Sequence, residues 1–332
     1  MTPPDPMSGP DAVPGPDAVP APPARSARKK LVRLLFLLVA LGFGAWAVAG
    51  RWSQVADGFS RLSWPLLAAS LVAVLAALSA GMLMWRALLA DLGSPLALTD
   101  AAKVFFVGQL GKYIPGSLWP VLAQMEMGKD LGVPRSRSAT AFFLTYPIYL
   151  ASGLGVAVLT LPAFAGDSVA RYAWLLLLLP VLVAGLHPRV VNGVLGLGLR
   201  LLRRPPLERP LSRRGVLASA GWAFAGWAAY GVHLWLVVTG LGAAGPRALA
   251  LSLGAFSLAW CLGFIVVIAP AGAGVREVAM VAALAPVLPG GTALAAALCS
   301  RLLVSLGDLM WAGLAGLAAR RAESVPVTAE HD

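Results

Sequence analysis

The chain has 332 residues, of which 58% are hydrophobic and only 12% charged, and its net charge is +11. Soluble domains run near a quarter charged, so this composition excludes an ordinary soluble enzyme and points to a multi-span membrane protein. The basic excess sits in two patches beside apolar runs, at Arg25–Arg33 and among the seven arginines of 188–214, which is the pattern of cytoplasmic loops and anionic headgroups rather than of a nucleic-acid reader.

Residues 1–24 hold nine prolines and the sequence GPDAVP twice, at 9–14 and 15–20. Such a segment cannot bury enough surface to fold. Residues 1–30 are therefore expected as a disordered, basic, cytoplasmic tail, not a cleaved signal peptide. The folded part is expected over 31–320, with a short disordered tail at 321–332. Apolar runs predict spans at 31–50, 64–90, 138–162, 170–187, 215–240, 246–269 and 292–319. Two shorter segments, about 101–125 and 276–289, each follow or contain a Pro/Gly break. The expected architecture is an all-α polytopic membrane protein of about 7–8 spans with two re-entrant segments.

The charge rule places residue 30 in the cytoplasm, and two spans then return the chain to that side near Asp91. If 101–125 enters and leaves as a hairpin, Lys129, Arg135 and Arg137 stay inside, as the rule requires. Spans 138–162 and 170–187 then deliver the arginine-rich 188–214 loop to the same side. The segment VVNGVLGLGLRLLRR (190–204) is suited to lie along the membrane surface. The side of the C-terminus stays open. A second hairpin at 276–289 puts Arg320 and Arg321 outside, whereas a full crossing puts them inside.

The first break reads GQLGKYIPGSLWP (108–120) and the second VIAPAGAGVREVAM (267–280). A 155-residue shift lays Pro115 on Pro270, Pro134 on Pro289 and Tyr146 on Arg301. Each half has a long apolar run, a break, a short helix, a proline and a long span, which points to an internal repeat, parallel or inverted. Glycine-rich turns at membrane depth expose backbone groups that lipid cannot satisfy, and the helix that follows offers free N–H groups to an anion. Paired breaks of this kind are the best sequence pointer to a transporter's site. Lys112 precedes the first break, and Arg276 and Glu277 begin the helix after the second. A proline kink that merely packs, with Lys112 reaching an interface, is the alternative.

Arg301 and Asp308 lie inside the last span, where each costs roughly 2.5–3.5 kcal/mol to insert. They share one helix stripe but stand about 10 Å apart along the axis, so each is expected to find a partner on another helix or in a wet cavity. A structural ion pair and a headgroup contact are the two readings. Gln109, Gln124 and Glu126 flank the first break and could line a cavity. Glu126 and Asp130 have helical spacing, but a solvated helix end explains them equally well. His233 reads as a hydrogen-bonded packing residue. Cys261 and Cys299 read as packing residues too, with no metal site and no cofactor expected.

GQLGKYIPGSLWPVLAQ (108–124) and APAGAGVREVAMVAAL (269–284), followed by a span carrying Arg301, resemble the lysylphosphatidylglycerol synthase transmembrane-region family, flippase-like integral membrane proteins. The resemblance covers about 30–320. Gly111, Tyr113, Pro115 and Gly116 match its first motif, and Gly272, Gly274, Arg276 and Glu277 its second. It implies a helical domain that, in bifunctional members, translocates an aminoacylated phospholipid. Standalone relatives are associated with lipids or lipid-linked sugars. Many members carry a Glu-Arg pair and a following Asp in the span after the first break, where this chain has Thr145, Tyr146 and Tyr149. About 13 residues follow the last expected span, so neither the aminoacyl-transferase domain nor lysyl transfer is expected.

The expectation is a non-enzymatic translocase, in the cytoplasmic membrane, of an anionic phospholipid or a polyprenyl-phosphate-linked substrate. Lys112, Arg276 and Arg301 would attract phosphate. Glu126, Glu277 and Asp308 would pair them, and Gln109, Tyr113, Pro115, Gly116, Trp119, Gln124, Gly272 and Gly274 would complete the site. One alternative is a non-transporting subunit working with envelope-synthesis enzymes. Another is a membrane-embedded transferase using a lipid-linked donor.

Overall fold

The computed structural model describes residues 50, 52–113, 118–165, 173–201, 203, 209–266 and 274–323. The tails, the span expected at 31–50, and Pro115, Gly116, Pro270 and Gly272 lie outside the described residues. Within them the protein is helical throughout, with no strand.

In chain order the helices are α1 (Trp52–Arg61), α2 (Trp64–Asp91), α3 (Leu98–Ala102), α4 (Trp119–Asp130), α5 (Arg135–Leu159) and α6 (Leu161–Ala165). They continue with α7 (Leu178–Gly185), α8 (Pro188–Leu201), α9 (Arg213–Gly240), α10 (Pro246–Ile265), α11 (Val275–Leu284) and α12 (Gly290–Glu323). A π-helical turn at Lys103–Val107 and a 3-10 turn at Leu110–Tyr113 carry α3 onward to the first break. Five helices, α2, α5, α9, α10 and α12, are long and apolar enough to cross a membrane. The segment expected as a span at 170–187 is described from Ala173 as a 3-10 turn (Ala173–Leu177) and the eight-residue α7, which with α8, bent from it by 74°, is apolar enough to count as a sixth candidate span. The bend falls at Leu186-His187, just before Pro188, whose ring disfavours the helical conformation in the preceding residue.

Side-chain contacts define two ends of the bundle. At one end Asp91 accepts hydrogen bonds from the Ser212 backbone N–H at 2.7 Å and the Ser212 hydroxyl at 2.6 Å, tying the end of α2 to the start of α9. There too Arg137 donates to the Gly93 carbonyl and the Ser94 hydroxyl, both at 3.1 Å. This end collects Arg86, Lys103, Lys129, Arg135, Arg213 and Arg214 and is the basic end. At the other end a Cβ on Gly58 would meet Ala295 at 2.8 Å and one on Gly240 would meet Leu62 at 2.9 Å. This gathers α1, the start of α2, the end of α9 and the start of α12.

Between the ends α2 and α9 pack along their length, with Gly226 facing Ala77 and Ala80. Small residues at such a contact let backbones approach where lipid offers no hydrophobic drive. Two buried clusters, one around Trp85, Leu88 and Phe105 and one around Trp227, Leu234 and Leu284, share Tyr149, Tyr230, Leu303 and Val304 at their seam. His233 is fully buried there. Its Nδ1 is 2.7 Å from the Ser70 hydroxyl and its Nε2 is 2.9 Å from the Ser300 hydroxyl. Each ring nitrogen thus meets a hydroxyl, and the Ser70 hydroxyl also lies 3.1 Å from the His233 carbonyl. The imidazole thus pins α2, α9 and α12 together, as the packing reading expects.

The two broken segments are hairpins of opposite sense. The first enters from the basic end through α3, and α4 returns to it. Gly108 faces Gln124 and Pro120, while Gly111 lies against the Trp119–Pro120 backbone, where a Cβ would come within 2.8 Å. The second hairpin pairs α10 with α11 and opens toward the other end. Gly263 sits beneath the Arg276 side chain, so that a Cβ would collide with it, and Met280 lies level with Phe256 and Ala259. The span expected at 246–269 and the short segment expected at 276–289 are thus two helices packed on each other: α10, long and apolar enough to cross a membrane, and α11 against it. The helix α12 then runs to the basic end, where it meets Leu98–Ala102, and carries Arg320 and Arg321 there. The halves have the same order and opposite direction, so the repeat is inverted. The 155-residue shift lays the start of α5 on Gly290, the first residue of α12.

Candidate functional site

The residues flanking both breaks contact α12. Arg301 lies about 16 Å along the helix from Gly290 and Asp308 about 15 Å from Ala318, so both stand in its middle. Each has a partner from a different hairpin, as their separation predicts.

At the first tip the Lys112 ammonium is 2.6 Å from Asp308 Oδ2, and the Tyr113 hydroxyl donates to the same oxygen at 2.6 Å. Asp308 is 4% exposed and Lys112 32%. The ammonium also lies 5.4 Å from the Tyr113 ring centre. Just beyond, Phe106 stacks on Trp311 at 5.1 Å, and the Trp311 indole donates to the Leu75 carbonyl at 3.0 Å. The reading of Lys112 as a side chain reaching an interface is thereby corrected: it is held by Asp308.

At the second tip Gly274 has a positive φ of 83°, a conformation that favours glycine and starts α11 abruptly. The Glu277 carboxylate then does two things. Oε2 accepts the Gly274 N–H at 2.7 Å, capping the helix, and Oε1 meets Arg301 Nε at 2.9 Å. Arg276, one residue earlier, turns the other way. Its guanidinium lies over the Trp260 ring at 5.5 Å, and its Nε is sealed from solvent with no hydrogen-bond partner among the described residues. Such a group normally has a partner or a water. A cavity of about 30 Å³ opens beside it, lined by Phe256, Trp260, Arg276, Glu277, Ser300 and Arg301, among others. That is space for a water, not for a headgroup.

Of the residues expected in the site, Lys112, Tyr113 and Asp308 form one group, and Gly274, Arg276, Glu277 and Arg301 another. Tyr230 stacks on Phe256 at 4.3 Å and lies at the seam of the two buried clusters. Gln124 is fully buried behind Gly108, and neither of its polar atoms has a partner among the described residues. Gln109 is half-buried beside it in the chain, and Trp119 is half-exposed at the start of α4. Glu126 belongs to neither group. It pairs with Arg135 through both carboxylate oxygens at 2.8 and 2.6 Å on the exposed surface, the solvated helix end that was the alternative for it. Pro115, Gly116 and Gly272 fall outside the described residues.

Sequence reasoning missed Trp260, Ser300 and Tyr230. The available signal was the aromatic ladder Phe256, Trp260, Phe264, spaced by four on the helix before the second break. Its Trp260 and Phe264 rings stack at 5.6 Å. In the first half Tyr146 stacks on Phe264 at 4.6 Å and Tyr149 packs edge-on to Trp227 at 5.3 Å. Aromatic packing thus occupies Tyr146 and Tyr149, where the resemblance led to the expectation of charges.

No curated protein matches the chain. A family model, lysylphosphatidylglycerol synthase TM region, matches residues 33–308, which include both hairpins and both ion pairs on α12. The chain is a multi-pass membrane protein and belongs to the lysylphosphatidylglycerol synthase transmembrane-region family.

Proposed function

We propose that this protein is a carrier, not an enzyme, and moves a phospholipid or a lipid-linked sugar between the leaflets of the cytoplasmic membrane. The observation that carries the reading is the convergence of two inverted hairpins on the middle of α12, each through a carboxylate–cation pair. Inverted repeats with broken helices at the midplane are how many transporters build a site that can face either side. Ionisable groups at that depth are costly and are kept where a polar substrate passes.

The cavity beside Arg276 is closed to a headgroup, so this conformation is an occluded one. Opening toward the basic end requires the first hairpin to leave Asp308. Opening toward the other end requires the second hairpin to leave Arg301. Two latches on one rigid helix let one hairpin stay docked while the other moves. The basic end faces the cytoplasm in this reading, by the charge rule, and so does the N-terminus.

The test is transfer of a labelled phospholipid or polyprenyl-phosphate sugar between leaflets of reconstituted vesicles. Wild type should speed transfer over empty vesicles, and Arg276→Gln should slow it. Equal rates for wild type, variant and empty vesicles across a panel of lipids would overturn the reading in favour of a non-transporting subunit of envelope synthesis.

A further inference from the structure

Arg301 borders two spaces. Its inner side lines the cavity beside Arg276. Its outer side closes an apolar groove of about 570 Å³ between α1 and α12, walled by Trp52, Val55, Ala56, Phe59, Leu298 and Leu302. The helix α1 is amphipathic and presses Val55 and Gly58 onto α12, leaving this trough along its flank. An apolar channel that ends on a guanidinium in the middle of a membrane helix has the two-part chemistry of a lipid: a chain, then a charge.

The sign of that charge follows from a count. Along the hairpin tips and the middle of α12 the ionisable groups are Lys112, Arg276, Glu277, Arg301 and Asp308. The segments 114–117 and 267–273 add none, because their residues are Ile-Pro-Gly-Ser and Val-Ile-Ala-Pro-Ala-Gly-Ala. Asp308 is matched by Lys112 and Glu277 by Arg301. Arg276 remains, with a sealed Nε lacking a partner among the described residues. The site therefore holds one positive charge in excess. Both of its carboxylates are already engaged, and its first-half counterpart is aromatic. A headgroup ammonium finds no unengaged carboxylate there and meets Arg276 as a like charge, which is costly where water is scarce.

We propose that the groove between α1 and α12 takes the hydrocarbon chain of a membrane lipid whose headgroup is a phosphodiester without an ammonium group, the phosphate meeting Arg301 at the inner end of the groove with the excess charge of Arg276 behind it. The inference rests on the lipid-carrying reading above and names the lipid class and its way in, sideways from the bilayer.

The experiment uses the full chain in nanodiscs, with a benzophenone amino acid in place of the exposed Leu302. The probes are tritiated phosphatidylglycerol and phosphatidylcholine of identical chains. Wild-type background should be labelled roughly tenfold more by phosphatidylglycerol, the ratio that about 1.4 kcal/mol of discrimination produces. Arg276→Gln should bring the two lipids to within about twofold, while Arg276→Lys keeps the preference. Ala56→Trp, which fills the groove and touches no charge, should remove labelling by both. Equal labelling of the two lipids in the wild-type background would overturn the proposal, and that arm stands if a variant fails to fold. So would an unchanged preference in Arg276→Gln. Crosslinks mapping to residues 31–49 of the chain instead of lipid would also overturn it, making that segment the occupant. Selective labelling with no leaflet transfer would remove the translocase reading and leave the groove. Leaflet transfer without selective labelling would do the reverse.

Discussion

Removing either member of the Lys112–Asp308 pair should have unequal consequences. Lys112→Ala leaves a carboxylate that is 4% exposed with, among the described residues, only the Tyr113 hydroxyl as a donor. Stranding a buried charge costs about 3–5 kcal/mol, and one retained charge-assisted hydrogen bond offsets part of it, so a loss of about 3 kcal/mol is expected. Asp308→Asn strands Lys112 instead. That ammonium is 32% exposed and can swing toward water, while the amide oxygen still accepts from Tyr113. A loss of about 1–1.5 kcal/mol follows. The double variant strands neither charge and should cost less than Lys112→Ala alone, with a coupling of about 2 kcal/mol. The assay is the fraction of detergent-solubilised protein that stays monodisperse after heating, read as an apparent midpoint for each variant. If Asp308→Asn costs as much as Lys112→Ala, or if the two losses simply add, the pair is not a buried latch and the docking of the first hairpin on α12 is wrong.

Three further outcomes follow. Arg301→Gln should lower the same midpoint, and adding Glu277→Gln should restore part of it, whereas adding Asp308→Asn should only deepen the loss, because Arg301 pairs with Glu277 across the second hairpin. Cysteines placed at Arg135 and Arg214 should both be shielded from an impermeant thiol reagent in intact cells, while one at Arg247 should react; labelling at Arg135 but not at Arg214 would refute the first hairpin. The Glu126 carboxyl is held below its usual range, first by the hydrogen bond from Arg135. A depressed carboxylate stabilises the fold above its unfolded value and loses that contribution as pH falls through the folded value. The difference in midpoint between wild type and Arg135→Gln should therefore be small at neutral pH, since the pair is exposed, and should vanish in acid; a difference that grows in acid would contradict the pairing.

Much of the fold is written in local pattern. Twenty or so apolar residues without a charge must form a helix in lipid, because no other structure satisfies the backbone there, and this rule alone locates α2, α5, α9, α10 and α12. The basic residues around Asp91, Arg135 and Arg213 likewise mark a common end, since charge bias is summed over loops and needs no contact map. The two breaks are visible for the same reason: proline and glycine at membrane depth have few other uses. What hydropathy could not decide was how a break is used. Whether 246–265 stands alone or pairs with 275–284 depends on Gly263 making room for Arg276, a contact that local hydropathy does not encode. The bend at the end of the 170–187 segment was not legible either, because the restraint that Pro188 places on the preceding residue acts on direction, not on hydropathy.

The sequence by itself determined that charged residues stand inside the last span, and that Arg301 and Asp308 are too far apart to pair with each other. Only the tertiary structure decided their partners. Glu277 is 24 positions from Arg301 and Lys112 is 196 from Asp308, and nothing in local spacing relates either pair. Their meeting is set by which way each hairpin enters and how deep its tip reaches, and those follow from close packing of glycine-lined helices rather than from any residue's own preference. The same holds for the inversion of the repeat, since order along a chain carries no direction until the chain is folded.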